Sequence, residues 1–178
     1  REAGRPFRKR PAFQFQKELG GVFGLNYGWE HPLYFDFDTP DTAGFTRQDW
    51  WKSVRREALL LRQNVGIIDI SNFGKYLCRG DGAYEFLDSI FANKIPKNVG
   101  ASCLSPIIGK MGGIAADATI TKLSDDSFWI GSSGAAEGFQ QRFYNLVKRG
   151  KGTEFISKSE DYCGFNVVGP KSRELLQR

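Results

Sequence analysis

Most of the chemistry this sequence offers is concentrated in one short run. Gly112-Gly113 supplies a turn, and Ile114–Leu123 follows it with strand-like alternation. Strand side chains point to opposite faces in turn, so Asp117, Thr119 and Thr121 share one face. Ile114, Ala116, Ala118 and Ile120 share the other, which is small, apolar and fit to pack on a core. The polar face admits two readings. In one it meets water, as on any half-buried strand. In the other it lines a cavity and aims Asp117 at a ligand, where a carboxylate can accept a hydrogen bond or serve as a general base.

Other chemistries find few residues to run on. His31 is the only histidine, which removes most Ser-His-Asp, Cys-His and histidine-metal schemes. Cys78, Cys103 and Cys163 are far apart with no metal-ligand spacing, so reduced, partly buried thiols are expected. Gly80-Asp81-Gly82 resembles the start of a dinucleotide loop. Glu85 stands where the third glycine would be, however, and would meet a pyrophosphate with negative charge. Gly169-Pro170-Lys171-Ser172 reads as a plain strand-to-helix turn.

The elements that must position Asp117 are legible from periodicity and turn residues. A short helix is expected over Phe13–Leu19, ended by Gly20-Gly21. The aromatic cluster Phe23, Tyr27, Trp29, Tyr34, Phe35 and Phe37, with Pro32 inside it, reads as an irregular wrap. Asp36–Gly44 reads as a linker. Thr46 or Asp49 can cap a helix to about Asn64, with Trp50, Val54, Leu60 and Leu61 inward. Strands are expected at Gly66–Ile70 and Gly74–Arg79, then a helix capped by Asp81 and reaching Asn93, with Phe86, Leu87, Ile90 and Phe91 inward. Leu104–Ile108 is the third strand. Ile114–Leu123 and Phe128–Ser132 form a hairpin about Asp125-Asp126. A helix over Ala135–Lys148 turns Phe139, Phe143, Leu146 and Val147 inward. Strands at Thr153–Ile156 and Gly164–Val168 precede a final helix. The fold class is therefore α/β or α+β, built like split βαβ units.

Composition agrees with a globular chain: 40% of the 178 residues are hydrophobic and 25% charged, enough for a sizeable core. No run approaches the roughly 18 apolar residues of a membrane span. The net charge of +5 is uneven. Arg1, Arg5, Arg8, Lys9, Arg10 and Lys17 crowd the first residues, and the acids Glu18, Glu30, Asp36, Asp38 and Asp41 follow. An exposed connector whose halves attract each other explains this better than a nucleic-acid arm, since no nucleic-acid module follows.

Several motifs, in order, carry a resemblance. Val65-Gly66-Ile67-Ile68-Asp69-Ile70-Ser71-Asn72-Phe73-Gly74-Lys75-Tyr76, Phe86-Leu87-Asp88 with Phe91-Ala92-Asn93, Gly112-Gly113-Ile114 with Asp117, and Gly169-Pro170-Lys171-Ser172-Arg173 together resemble the aminomethyltransferase (glycine-cleavage T-protein) folate-binding family. Gly4-Arg5-Pro6, Gly28-Trp29-Glu30 and Trp50-Trp51 with Val54 and Glu57 are most similar to its branch fused to flavoenzymes, the dimethylglycine and sarcosine dehydrogenases.

The resemblance implies the aminomethyltransferase folate-binding fold and a tetrahydrofolate site. Asp117 would be its catalytic carboxylate, with Phe73, Ala118, Thr119 and Thr121 as folate contacts. It implies capture of the iminium or formaldehyde unit from oxidative demethylation of an N-methyl amine, giving 5,10-methylene-tetrahydrofolate. FAD would sit in a preceding domain, not on this chain. Residues 1–46 would be the tail of that flavin region with a linker, and 47–178 the first part of the folate domain, so a fragment is expected. Expected partners are folate, a small methylated amine and the remaining flavin and folate segments, with no nucleic acid and no membrane. The expected compartment is the mitochondrial matrix or a bacterial cytoplasm. A non-catalytic regulatory or scaffold relative of the same family is the alternative.

Overall fold

The computed structural model describes residues 4–38, 44–147 and 152–178. Arg1, Glu2, Lys148 and part of the expected linker (39–43) lie outside them. The chain forms two compact units, Arg1–Asn72 with Cys163–Arg178, and Phe73–Tyr162.

In the first unit, α1 (Phe13–Glu18) is followed by β1 (Gly21–Asn26) and β2 (Trp29–Phe35), an antiparallel pair. The expected irregular wrap is therefore a hairpin. Its two-residue turn uses positive φ at Tyr27 (51°) and Gly28 (84°), the geometry that joins twisted strands most directly. Pro32 is tolerated because a two-stranded ribbon has only edge strands. Trp29 is buried with the guanidinium of Arg8 3.7 Å and that of Arg10 3.2 Å from its ring centroid.

Helix α2 (Trp50–Gln63) forms where expected. Asp49 occupies the N-cap position without a capping hydrogen bond and instead pairs with Lys52 at 3.3 Å. Leu60 is exposed, and only Ser53 is buried. Trp50, Val54 and Leu61 are half-buried as expected, and polar groups add to the contact with β2 and the residue after it: Glu57 Oε1 accepts from the Phe35 amide at 2.7 Å, and Ser53 bonds Asp36. Strand β3 (Gly66–Asp69) pairs antiparallel with β9 (Phe165–Val168), and α5 (Ser172–Leu176) follows. Gly169, at φ 116°, lies where a Cβ would stand 2.3 Å from the Asn64 carbonyl, so the turn requires glycine.

The second unit is a five-stranded antiparallel sheet in the order β5-β6-β7-β4-β8. Its strands are β4 (Gly74–Arg79), β5 (Ser102–Ile108), β6 (Ile114–Ser124), β7 (Ser127–Ser132) and β8 (Glu154–Ser157). One face carries Tyr76, Cys78, Ile107, Ala118, Ile120, Phe128 and Ile130, all buried against α3 (Ala83–Ile90) and α4 (Glu137–Leu146). Each fully buried aliphatic side chain here contributes about 2 kcal/mol. Gly82, not Asp81, takes the N-cap position of α3.

Phe143 and, just past helix α4, Val147 pack against the core as expected, but the rest of the expected face does not. Phe139 and Leu146 are exposed, while Gln140 and Tyr144 are buried. Aromatic packing and a polar pocket select that face: Tyr144 lies 4.0 Å from the Phe155 ring centroid, and Gln140 Oε1 accepts from Tyr76 and Ser132.

Candidate functional site

The helix-free face of the second sheet is where the sequence-predicted residues gather. On β6, Asp117 and Thr119 are exposed and Thr121 is half-buried, whereas Ala118 and Ile120 are buried on the opposite face. The alternation is as read from the sequence over 117–120 and puts the Ala118 side chain in the core, but Ile114, expected on the same side, is exposed beyond a register shift at Ile107/Ile108. Only the backbone of Ala118 is available on the side of Asp117.

Register places the neighbours. Thr119 lies between Leu104 on β5 and Gly131 on β7, and Gly131 in turn faces Lys75 on β4. One step along, Thr121 lies between Ser102 and Trp129, with Leu77 beyond. The Thr121 hydroxyl is engaged by Ser102 Oγ at 2.7 Å. Trp129 packs edge-on against Tyr162, with ring centroids 5.3 Å apart. Leu104 is exposed, so this face is part apolar, with a carboxylate at one end.

Gly74 on β4 and Ala118 on β6 both pair with Ser132, so the two parallel-running strands are in step. Phe73 and Asp117, each one residue before those positions, therefore occupy the same end of the sheet. Two strand spacings separate them, roughly 10 Å. Phe73 is half-exposed, and its carbonyl accepts from Lys75 Nζ at 2.9 Å, which holds that ammonium close to the sheet. Asp117, Thr119 and Phe73 are thus exposed, while the Thr121 hydroxyl is engaged by Ser102.

Sequence reasoning missed the contribution of Gly131 and Trp129 to this face. The available signal was a glycine inside the short apolar strand Phe128–Ser132, which the strand reading passed over.

A separate cleft of about 450 Å³ lies within the first unit, lined chiefly by Phe15, Leu19, Phe35, Ile67, Phe165 and Val167. Its one carboxylate, Asp69, is satisfied by Gln16 Nε2 and the Ser71 amide, each at 2.7 Å. Among the described residues no cluster of histidine, cysteine and acids could hold a metal ion. Cys78, Cys103 and Cys163 form no disulfide with one another, and burial pushes the Cys103 thiol up. No helix among the described residues is long and apolar enough to cross a membrane.

Comparison with known proteins agrees with this architecture. The chain is 30% identical over 183 residues to the mitochondrial dimethylglycine dehydrogenase of Homo sapiens, covering all of this chain and 21% of that protein. It is 29% identical over 142 residues to a probable aminomethyltransferase of Thermococcus gammatolerans, covering 76% of this chain and 36% of that one. The crystal structure of the glycine cleavage system aminomethyltransferase T from Bartonella henselae shares the fold, with a TM-score of 0.79 at 20% identity over 96% of this chain and 43% of that one. The chain therefore spans less than half the length of these relatives. The description "GCVT N-terminal domain" matches residues 12–178, and the chain belongs to that family.

Proposed function

We propose that this chain is the first part of a folate-dependent one-carbon transfer domain. The domain captures the carbon released by oxidative demethylation of an N-methyl amine of the dimethylglycine or sarcosine type, giving 5,10-methylene-tetrahydrofolate. The observation that carries the reading is a carboxylate and a free hydroxyl side by side on the uncovered face of β6, in a chain of this family. The donor set suits a reduced pterin. Its N–H groups need an acceptor, which Asp117 offers, and its flat pyrimidinone half needs room, which the space above Gly131 offers.

When bound, tetrahydrofolate supplies an amine nucleophile for a carbon at the oxidation level of formaldehyde. Asp117 accepts a hydrogen bond from that amine, orients it and takes up the proton it must lose. The same negative charge faces the positive charge that develops on the reacting centre, an effect typically worth about 10²–10⁴ in rate. Thr119 adds a hydroxyl to the ligand, Thr121 acts through Ser102, Ala118 offers its backbone, and the Phe73 ring gives an apolar flank.

FAD belongs to a preceding domain, of which residues 1–46 are the tail and linker, and residues 47–178 open the folate domain. The partners are folate, the small amine and the remaining flavin and folate segments, with neither nucleic acid nor membrane involved. The compartment is the mitochondrial matrix or a bacterial cytoplasm. A second reading, a non-catalytic scaffold of the same family, is favoured by the exposure of Asp117 in this chain.

The test is Asp117→Asn in the full-length protein. One-carbon transfer to tetrahydrofolate falls by about 10²–10⁴ if the carboxylate acts as described, and unchanged transfer refutes it. Calorimetry that finds no tetrahydrofolate binding to the folded full-length protein selects the scaffold reading.

A further inference from the structure

Five glycines lie within strands of the described structure: Gly21, Gly24, Gly66, Gly74 and Gly131. Four have a packing reason. A Cβ would stand 2.7 Å from the Gln16 carbonyl at Gly21, 3.0 Å from Leu33 at Gly24, 2.3 Å from Leu61 at Gly66 and 3.2 Å from the Tyr76 hydroxyl at Gly74. Gly131 has none. Its φ is not positive, and a Cβ there would meet nothing within 4 Å. Neither backbone conformation nor close contact requires glycine at this position, yet it sits in β7, the central strand of the sheet. Glycine weakens a strand interior and, where packing does not call for it, marks a place where another molecule approaches the backbone.

The position lies between the exposed Thr119 on one side and the buried Lys75 on the other, with half-buried Trp129 two residues back on the same face. Asp117 is the diagonal neighbour, about 7–8 Å away. A flat, donor-rich heterocycle complements this setting, since its face can lie on bare backbone while its N–H edge meets the carboxylate.

We propose that Gly131 is a specificity-determining residue, the seat on which the pterin ring of tetrahydrofolate lies with its N–H edge towards Asp117. The inference rests on the one-carbon reading above. Any side chain at position 131 would project between Thr119 and Lys75 and hold the ring off the sheet.

The full-length protein and its Gly131→Ala and Gly131→Val variants are titrated with tetrahydrofolate by anaerobic calorimetry, and each is melted without ligand. The expected result is several-fold weaker binding for Ala and about tenfold or more for Val. The ligand-free melting temperature should be unchanged or higher, because valine suits a strand better than glycine. A Val variant that binds as tightly as the unaltered protein overturns the seat and leaves the one-carbon reading standing. Loss of the ligand-free fold in both variants also overturns it, by making Gly131 a structural glycine. If the unaltered protein itself binds no tetrahydrofolate, the one-carbon reading falls and this inference with it.

Discussion

The ion pair between Arg5 and Glu30 offers a quantitative test of the first unit. Arg5 Nε donates to Glu30 Oε1 at 3.1 Å and Nη2 to Oε2 at 2.6 Å, a two-pronged geometry, while Nη2 also donates to the Phe23 carbonyl at 2.9 Å. The Glu30 side chain is only 2% exposed and that of Arg5 23%. Arg5→Ala leaves a covered carboxylate without its counter-ion and should cost about 3 kcal/mol at neutral pH, the low end for a broken buried pair because Arg5 is partly wetted.

Glu30→Gln in that background removes the stranded charge, so the double mutant should recover much of the loss, with a coupling of about 2 kcal/mol. A surface pair would give roughly 0.2–1 kcal/mol. The hydrogen bond from Arg5, opposed by desolvation and helped by the guanidinium charge, holds the Glu30 carboxyl below its ordinary value of 4.5. A lowered folded-state value means the unfolded chain binds more protons in that range. The pair's stabilisation is therefore fully present above about pH 4.5 and fades as pH falls through the folded value. Hydrogen exchange of the β1 and β2 amides in urea, at neutral and acid pH, reads the effect locally. Coupling below about 0.5 kcal/mol, or an Arg5→Ala cost that does not shrink on acidification, refutes the reasoning.

Two further stability predictions concern the second unit. Ile120 is fully buried on the core face of β6, so Ile120→Ala should cost about 3–4 kcal/mol in urea unfolding, and a cost below about 1 kcal/mol would mean that the core collapses onto the gap. The Tyr144 hydroxyl is buried with no hydrogen-bond partner among the described residues, and burial pushes its ionisation well above the ordinary phenol range. Tyr144→Phe should therefore be neutral or stabilise by up to about 1 kcal/mol, and a loss of that size would reveal a bonded partner for the hydroxyl.

Local order was legible wherever one residue pattern had one satisfactory solution. The alternation of Ile114–Leu123 could be read directly, because a period of two sends Asp117 and Thr119 away from Ala118 and Ile120 whatever the sheet packs against. The β6–β7 hairpin was legible too, since a tight turn between adjacent strands leaves no other partner nearby. Pro32 misled the reading of the first hairpin, because proline bars a strand from a sheet interior but not from a two-stranded ribbon. The face of α4 was legible only in part, Phe143 and Val147 packing on the core but Phe139 and Leu146 not, for a related reason. Hydrophobicity ranks Phe139 and Leu146 above Gln140, but an amide is preferred where Tyr76 and Ser132 already present buried hydroxyls.

What residue types and spacing determined by themselves was the class of elements and the polar face of β6, with Asp117 and Thr119 on it. Only the tertiary structure decided that β3 pairs with β9 across the whole intervening unit, Ile67 opposite Val167, and that β7 lies between β6 and β4. Such pairings join residues far apart in the chain, so they are selected by the packing of the whole and leave little trace in local periodicity. The surroundings of Asp117 belong to the same category, since Gly131 becomes its diagonal neighbour, and Lys75 the residue beyond, only once the strand order is set.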